Sequence, residues 1–255
     1  MVRKSTRLSI KGKQGNLAGI LEEPVSNPKA FGIFSHCFSC TKDLKAIVKI
    51  SRILAEHGYA VLRFDFAGLG NSEGEFSETT FLDNLNDVRS VVDFLSQSYT
   101  PAKFLLGHSL GGSAMLATGM EFHSIEAISV IASPSETTHL ANTLIQLNPG
   151  VEQNGEGLVN TGTYEYLIKK TTIDVLRNYD LMSQIRKLKK RVLAFHSLGD
   201  TTLGMDHAES IVKETAGPAS LINLEQANHL LTDHPQDCEF IGKTLATWFD
   251  RYLTC

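Results

Sequence analysis

The 255-residue sequence predicts an α/β fold in which a mostly parallel central sheet is covered by helices on both faces. Three features carry that prediction. Short apolar runs alternate with amphipathic helical stretches along most of the chain. Several runs are apolar at almost every position, as strands buried on both faces must be. The string GHSLGG stands where a strand turns directly into a helix.

The elements follow in order. Residues 8–11 and 17–21 form a hairpin around Gln14, Gly15 and Asn16, because Gly and Asn tolerate the positive φ of a tight turn. Residues 31–35 are a short apolar strand. Residues 44–56 place Leu44, Ile47, Val48, Ile50 and Leu54 on one helical face and end at His57-Gly58. A strand over 59–64 leads into the Gly-rich loop AGLGNSEG. A helix over 80–95, a strand over 103–106, a helix from about Ser109 and a strand over 125–132 continue the alternation.

The pattern changes after Pro134. Residues 135–188 hold a helical patch at 140–147, a Gly- and Asn-rich stretch, a hairpin within GLVNTGTYEYLIKK and a last amphipathic piece. A connection this long is expected to be a functional cover. Strands over 191–196 and 220–224 and a closing helix over 235–253 complete the core. The expected division is therefore a core, first part, over 1–133, a lid or cap insertion over 134–188, and a core, second part, over 189–255.

Composition narrows the function. With 24 Lys+Arg against 28 Asp+Glu, the chain lacks the positive excess that binds a phosphate backbone, so no nucleic-acid partner is expected. The basic run from Arg186 to Arg191 reads as a solvated helix end before a strand. No apolar run approaches the roughly 18 residues of a membrane span. The first residues carry positive charge without an apolar stretch, so a cytoplasmic protein is expected. Four cysteines are too few and too scattered for a disulfide scaffold. Cys37 and Cys40 form a CxxC with no second pair beside it, so the expectation is a structural pair with neither metal binding nor redox use. GLGNSEG lacks the spacing of a dinucleotide loop, and no cofactor is expected.

GHSLGG follows the strand KFLL and opens the helix SAMLATGM. A serine in such a strained turn needs small neighbours, which Gly107 and Gly111 supply. An activated serine also needs a base, and the base needs a carboxylate to fix its tautomer. Asp200 follows the strand RVLAFHS, and His229 follows the strand SLINLE. Ser109, Asp200 and His229 thus all stand at C-terminal strand ends, the edge where open α/β sheets assemble sites. His196, Asp206, His207 and His234 are read as structural, with Asp233 a candidate helix cap. His108 is expected to pack beside the elbow, His36 to orient the loop after it, and Asp65 to tie down the turn at Gly68-Leu69-Gly70. The oxyanion donors are expected to be the backbone N–H groups of Leu110 and Phe38.

These segments, with His36-Cys37-Phe38, RFDFAGLGNSEG, SLGD and ANHLL, resemble the α/β-hydrolase superfamily of serine hydrolases in order and spacing across nearly the whole chain. HCFSCTKD and RFDFAGLGNSEGEF look like the hydrolase half of bacterial α/β-hydrolase/OsmC fusion proteins. The inserted segment is similar to the small lid of cinnamoyl and feruloyl esterases. Family members usually read His-Gly in the oxyanion loop, and Cys37 replaces that Gly. The resemblance implies an α/β-hydrolase fold and a serine carboxylesterase that cleaves a small-molecule ester of short-acyl or small aryl type through an acyl-enzyme. Tyr164, Tyr166 and Leu144 of the lid are the candidate substrate contacts. A peptidase, thioesterase or acyltransferase on the same triad, and a non-catalytic binding module, are the alternatives.

Overall fold

A computed structural model of the protein describes residues 3–162 and 164–253. Among the described residues an eight-stranded sheet runs in the order β1-β2-β4-β3-β5-β6-β9-β10. Its strands are β1 (Arg3–Lys11), β2 (Asn16–Pro24), β3 (Ala30–Ser35), β4 (Tyr59–Phe64), β5 (Phe104–His108), β6 (Ala127–Ile131), β9 (Arg191–His196) and β10 (Ala219–Asn223). β1 and β2 form the expected hairpin, paired antiparallel from Arg3↔Pro24 to Lys11↔Asn16. From β4 to β10 the pairing is parallel.

Parallel pairing explains the unbroken apolar runs. β3, β4, β5 and β6 are buried at every residue because helices lie on both faces. One face carries α1 (Lys45–Glu56) and α9 (Pro235–Tyr252), where Tyr59, Phe104 and Phe249 form a ring cluster, with Phe104 and Phe249 stacked at 4.3 Å. The other core contains α2 (Phe81–Ser98) and α3 (Leu110–Thr118), packed through Leu85, Val88, Val91, Ala114 and Met115. Asp233 does not cap α9: His234 holds the N-cap position, without a side-chain cap bond.

Between β6 and β9 the chain leaves the sheet. It forms α4 (Thr138–Leu147), α5 (Gly150–Asn154), a two-stranded hairpin of β7 (Glu156–Asn160) and β8 (Glu165–Lys169), α6 (Lys170–Asn178) and α7 (Leu181–Lys187). The hairpin and the helical patch match the sequence expectation. The Gly- and Asn-rich stretch contains the one-turn α5, ended by Gly155 in the left-handed region, which the turn composition concealed. α8 (Met205–Glu214) lies between β9 and β10.

The winding reverses at the centre of the sheet, since β3 has β4 on one side and β5 on the other. Loops leaving the C-terminal ends of β3 and β5 therefore diverge around a crevice, the usual place for a site in an open α/β sheet. Ser35, the last residue of β3, pairs with Gly107, two residues before Ser109.

Candidate active site

Ser109 occupies the turn between β5 and α3 with φ 53° and ψ −127°. A positive φ costs a residue with a Cβ about 1–3 kcal/mol, so surrounding contacts must impose it. They do so through glycine. A Cβ on Gly107 would strike Gly112, and one on Gly111 would strike the His36 carbonyl and the Ser35 side chain. The Ser109 N–H donates to Ile131 O at 2.9 Å, and Ser133 Oγ donates to Ser109 O at 3.0 Å.

His229 Nε2 lies 3.0 Å from Ser109 Oγ, and His229 Nδ1 lies 2.7 Å from Asp200 Oδ2. The three sequence candidates, separated by as many as 120 residues, thus form one hydrogen-bonded chain. Asp200 fixes the tautomer: its carboxylate only accepts, so Nδ1 carries a hydrogen and Nε2 is left to accept from the serine. The side chain of Asp200 is 1% exposed. Burial alone would raise its carboxyl, but the bond to His229 and the N–H groups of Leu203 and Thr202 on Oδ1 hold it below the ordinary carboxylate range.

The loops carrying Asp200 and His229 brace each other. A Cβ at Gly199 would meet the Gln226 backbone, and the Gly199 N–H donates to Glu225 O at 3.0 Å. Asn228 and Thr232 close a ring of two hydrogen bonds around His229. His108 Nε2–H donates to the His229 carbonyl at 2.7 Å, with the two rings 5.3 Å apart. Burial pushes the His108 imidazole down to about 3, so it stays neutral beside His229. His108 was expected only to pack; the structure gives it the further task of holding the His229 backbone.

The loop after β3 lies opposite the elbow. Among the described residues, neither the Phe38 nor the Leu110 N–H has a hydrogen-bond partner. His36 is fully buried and accepts the Phe66 N–H on Nε2 at 3.1 Å, which places its hydrogen on Nδ1, donated to Cys37 O at 2.8 Å. Asp65 accepts the Lys42 N–H, the Lys42 ammonium and the Asn71 N–H. His36 and Asp65 thus tie down the loops expected of them. Cys37 and Cys40 are joined by a disulfide with Cα atoms 5.3 Å apart. The structural reading of the pair left its oxidation state open, since a CxxC spacing alone does not distinguish a bridged turn from an open one. Cys255 lies outside the described residues.

A narrow cleft of about 70 Å³ opens at Ser109, walled by Phe38, Leu110, His139, Leu140, Leu203 and His229, among others. A tighter crevice of about 20 Å³ lies behind Phe38 and Leu110, between Phe76, Phe81, Asn84 and Ile168. The three expected lid contacts stand outside both walls. Leu144, one turn after Leu140, is fully buried in the apolar cluster that α2 and α3 share. Tyr164 is 63% exposed. Tyr166 packs its ring on Phe76 at 4.6 Å and donates its hydroxyl to Ser39 O at 3.4 Å. The residues of α4 that do reach the cleft are His139, Leu140 and Thr143. Their i, i+1 and i+4 spacing marks one helical face and was readable, but nothing in the sequence says which face of α4 turns inward.

Residues 33–151 match the family Hydrolase_4, serine aminopeptidase S33. The esterase domain of a Rhodothermus marinus protein is 36% identical, with 98% of this chain and 99% of that one covered and a TM-score of 0.80. Est1E from Butyrivibrio proteoclasticus, solved with ferulic acid bound, is 22% identical over 96% of this chain and 98% of its own, with a TM-score of 0.84. At that identity the likeness is one of fold. The human mitochondrial palmitoyl-protein thioesterase ABHD10 is 32% identical over 101 residues, which are 38% of this chain and 32% of that protein. The match therefore spans about a third of that relative's length.

Proposed function

Since the chain belongs to the α/β-hydrolase superfamily of serine hydrolases, we propose that it is a serine carboxylesterase acting on short-acyl or small aryl esters. The continuous chain from Ser109 Oγ through His229 to Asp200 carries the reading. In the proposed reaction Ser109 Oγ attacks the acyl carbonyl while His229 Nε2 takes its proton. Asp200 holds the imidazolium that forms. The negative charge on the former carbonyl oxygen is met by the free N–H groups of Phe38 and Leu110. His229 then gives its proton to the departing alcohol, and a water activated by the same imidazole releases the acid.

The walls support compact, apolar groups. Phe38, Leu110, Leu140 and Leu203 supply the surface, and the cleft is narrow. An aminopeptidase would need an anion to grip the substrate's ammonium. Glu152, one candidate on the inserted segment, is paired with Arg177 instead, and no Asp or Glu is among the described residues walling the cleft. In this reading residues 134–188 are a lid that limits access from above the sheet edge. The similarity to a palmitoyl-protein thioesterase favours thioesters as the second substrate class. A side-by-side assay of methyl ferulate, p-nitrophenyl butyrate, p-nitrophenyl palmitate, an S-acyl thioester and an aminoacyl anilide, each with wild type and Ser109→Ala, tests the reading. The short and aryl esters are expected to give the highest kcat/KM. Preference for the anilide or the palmitate would refute it, and preference for the thioester would transfer the site to the second class.

A further inference from the structure

We propose that the Cys37–Cys40 bridge is a thiol–disulfide exchange site whose state sets the catalytic power of the oxyanion loop. The inference rests on the oxyanion role proposed above for the Phe38 N–H. The bridge closes a loop of only four residues around Phe38 and Ser39, with the Cys40 N–H also donating to Cys37 O at 3.2 Å. So short a loop removes little freedom from the unfolded chain, and holding the global fold together does not account for it. Its effect is local. Ser39 has φ 56°, a left-handed conformation that a residue with a Cβ adopts only when held there. The residue preceding Ser39 is Phe38, whose N–H has no hydrogen-bond partner among the described residues and is the proposed oxyanion donor.

The two sulfurs differ in access. Cys37 is buried at 4% exposure, whereas Cys40 is half-buried at the rim of the loop. A small thiol or an exposed dithiol therefore attacks Cys40 Sγ. The bond to Cys37 Sγ breaks, the electron pair leaves with Cys37, and a proton follows it. A second thiol then attacks the reagent's own sulfur in the mixed disulfide and frees Cys40. The balance is two thiols oxidised to one disulfide and the bridge reduced to two thiols. The reverse exchange with a small disulfide restores the bridge.

Once the bridge opens, Ser39 is released toward ordinary backbone angles and the Phe38 N–H loses its fixed aim. The ties that remain are the Cys40 N–H and His36 Nδ1–H, both on Cys37 O, the ring contact of Phe38 with Phe76 and the bond from Tyr166 to Ser39. They keep the loop near its place but do not by themselves fix the angles of Ser39, so the donor is loosened rather than lost. Loss of one oxyanion donor lowers kcat by about 10²- to 10³-fold in the extreme. A donor that is merely loosened is expected to cost about 10- to 100-fold, with KM little changed.

The test compares the native protein before and after excess dithiothreitol, and again after reoxidation by a small disulfide. Alkylation with peptide mapping distinguishes Cys37 and Cys40 from Cys238 and Cys255. Three readouts accompany it: the thiols released, kcat on p-nitrophenyl butyrate, and the rate at which a fluorophosphonate labels Ser109. Both thiols are expected to appear while kcat and labelling rate fall together and recover on reoxidation. Cys37→Ser/Cys40→Ser is expected to match the reduced form and to ignore dithiothreitol. A bridge that persists in the folded protein under excess dithiothreitol overturns the proposal, as does a change under threefold with both thiols free. If no ester is cleaved in either state, the esterase reading fails, yet the labelling rate still decides the proposal: slower in the reduced form supports it, equal in both overturns it.

Discussion

The two loops that face each other across the site are held by opposite means. The elbow after β5 is held by the absence of side chains: Gly107, Gly111 and Gly112 let backbone press on backbone until Ser109 has one conformation left. The loop after β3 is held by ties between groups, most of them from distant parts of the sequence. His36 meets Phe66, Lys42 meets Asp65 and Tyr166 meets Ser39, while Cys37 and Cys40 are bridged within the loop itself. A loop fixed by steric exclusion has no adjustable part. A loop fixed by polar and covalent ties can be tuned through each of them, which places adaptability on the side that would grip the substrate's oxygen and rigidity on the side that attacks its carbon.

The largest break in this comparison is the nucleophile itself. Ser109→Ala is expected to lower kcat by about 10⁴- to 10⁶-fold in a folded protein and to abolish fluorophosphonate labelling, because the members of a triad act as a unit. Asp200→Asn should cost up to about 10⁴-fold by favouring the wrong His229 tautomer. Asp206→Asn, on α8, should cost little. Steady-state kinetics on the preferred ester check all three.

Gly111→Ala attacks the place where the two loops touch. The added methyl meets the His36 carbonyl, so it drives the oxyanion loop away from the elbow. Overpacking of this kind costs about 1–3 kcal/mol, and a displacement near 1 Å at a reacting centre costs about 10²-fold in rate. Denaturant melts and kcat together measure it. A loss of stability with kcat intact would show that the two loops move as one body.

The steric elbow was legible in the sequence and most of the opposite loop was not, for the same physical reason. Exclusion leaves a local signature, since the glycines that make room must be adjacent to the serine they serve. The hydrogen-bonded chain of Ser109, His229 and Asp200 was legible because each member follows a strand of recognisable pattern. The β3 loop depends on pairings at separations such as 30 residues for His36 with Phe66 and 127 for Ser39 with Tyr166, and no periodicity records those. The inserted segment was legible only in part for a related reason. Its helices and hairpin were readable, yet the walls of the cleft at Ser109 include His139, Leu140 and Thr143 of α4, which the sequence did not single out, and not Leu144, Tyr164 or Tyr166. Which face of an amphipathic element meets the site depends on a partner that the local pattern does not name.

A smaller effect separates the loops by pH. Asp87 on α2 accepts the Ala67 N–H at 2.9 Å, next to the Phe66 that bonds His36. Burial pushes its carboxyl from 3.8 up to about 7. The folded protein therefore holds a proton that the unfolded chain has already released. The stability this group contributes is complete below about pH 4 and is lost as the pH rises toward 7, by a few kcal/mol at most. Asp87→Asn keeps an acceptor for Ala67 and cannot ionise. It is expected to melt above wild type at pH 8 and to lose most of that advantage by pH 5, as thermal denaturation at the two pH values will show.

The smallest change is Tyr166→Phe, which removes one 3.4 Å hydrogen bond to Ser39 O and leaves the ring on Phe76. A two- to threefold loss in kcat is expected, since a neutral bond of that length contributes about 0.5 kcal/mol or less. A loss above tenfold would show that the inserted segment positions the oxyanion loop directly.

The ends of the sheet bear on how copies of the protein meet one another. An open sheet leaves an unpaired backbone at each edge, and a strand from a second molecule can join it. β1, at one edge, carries Arg3, Lys4, Arg7 and Lys11, the first two drawn across to Glu22 and Glu23 on β2. A second β1 laid alongside would bring two rows of cations together. β10, at the other edge, spans only Ala219–Asn223 and begins directly after Pro218, which has no N–H to offer a newcomer. Strand addition is thus opposed by like charge at one edge and by a short template that follows a proline at the other.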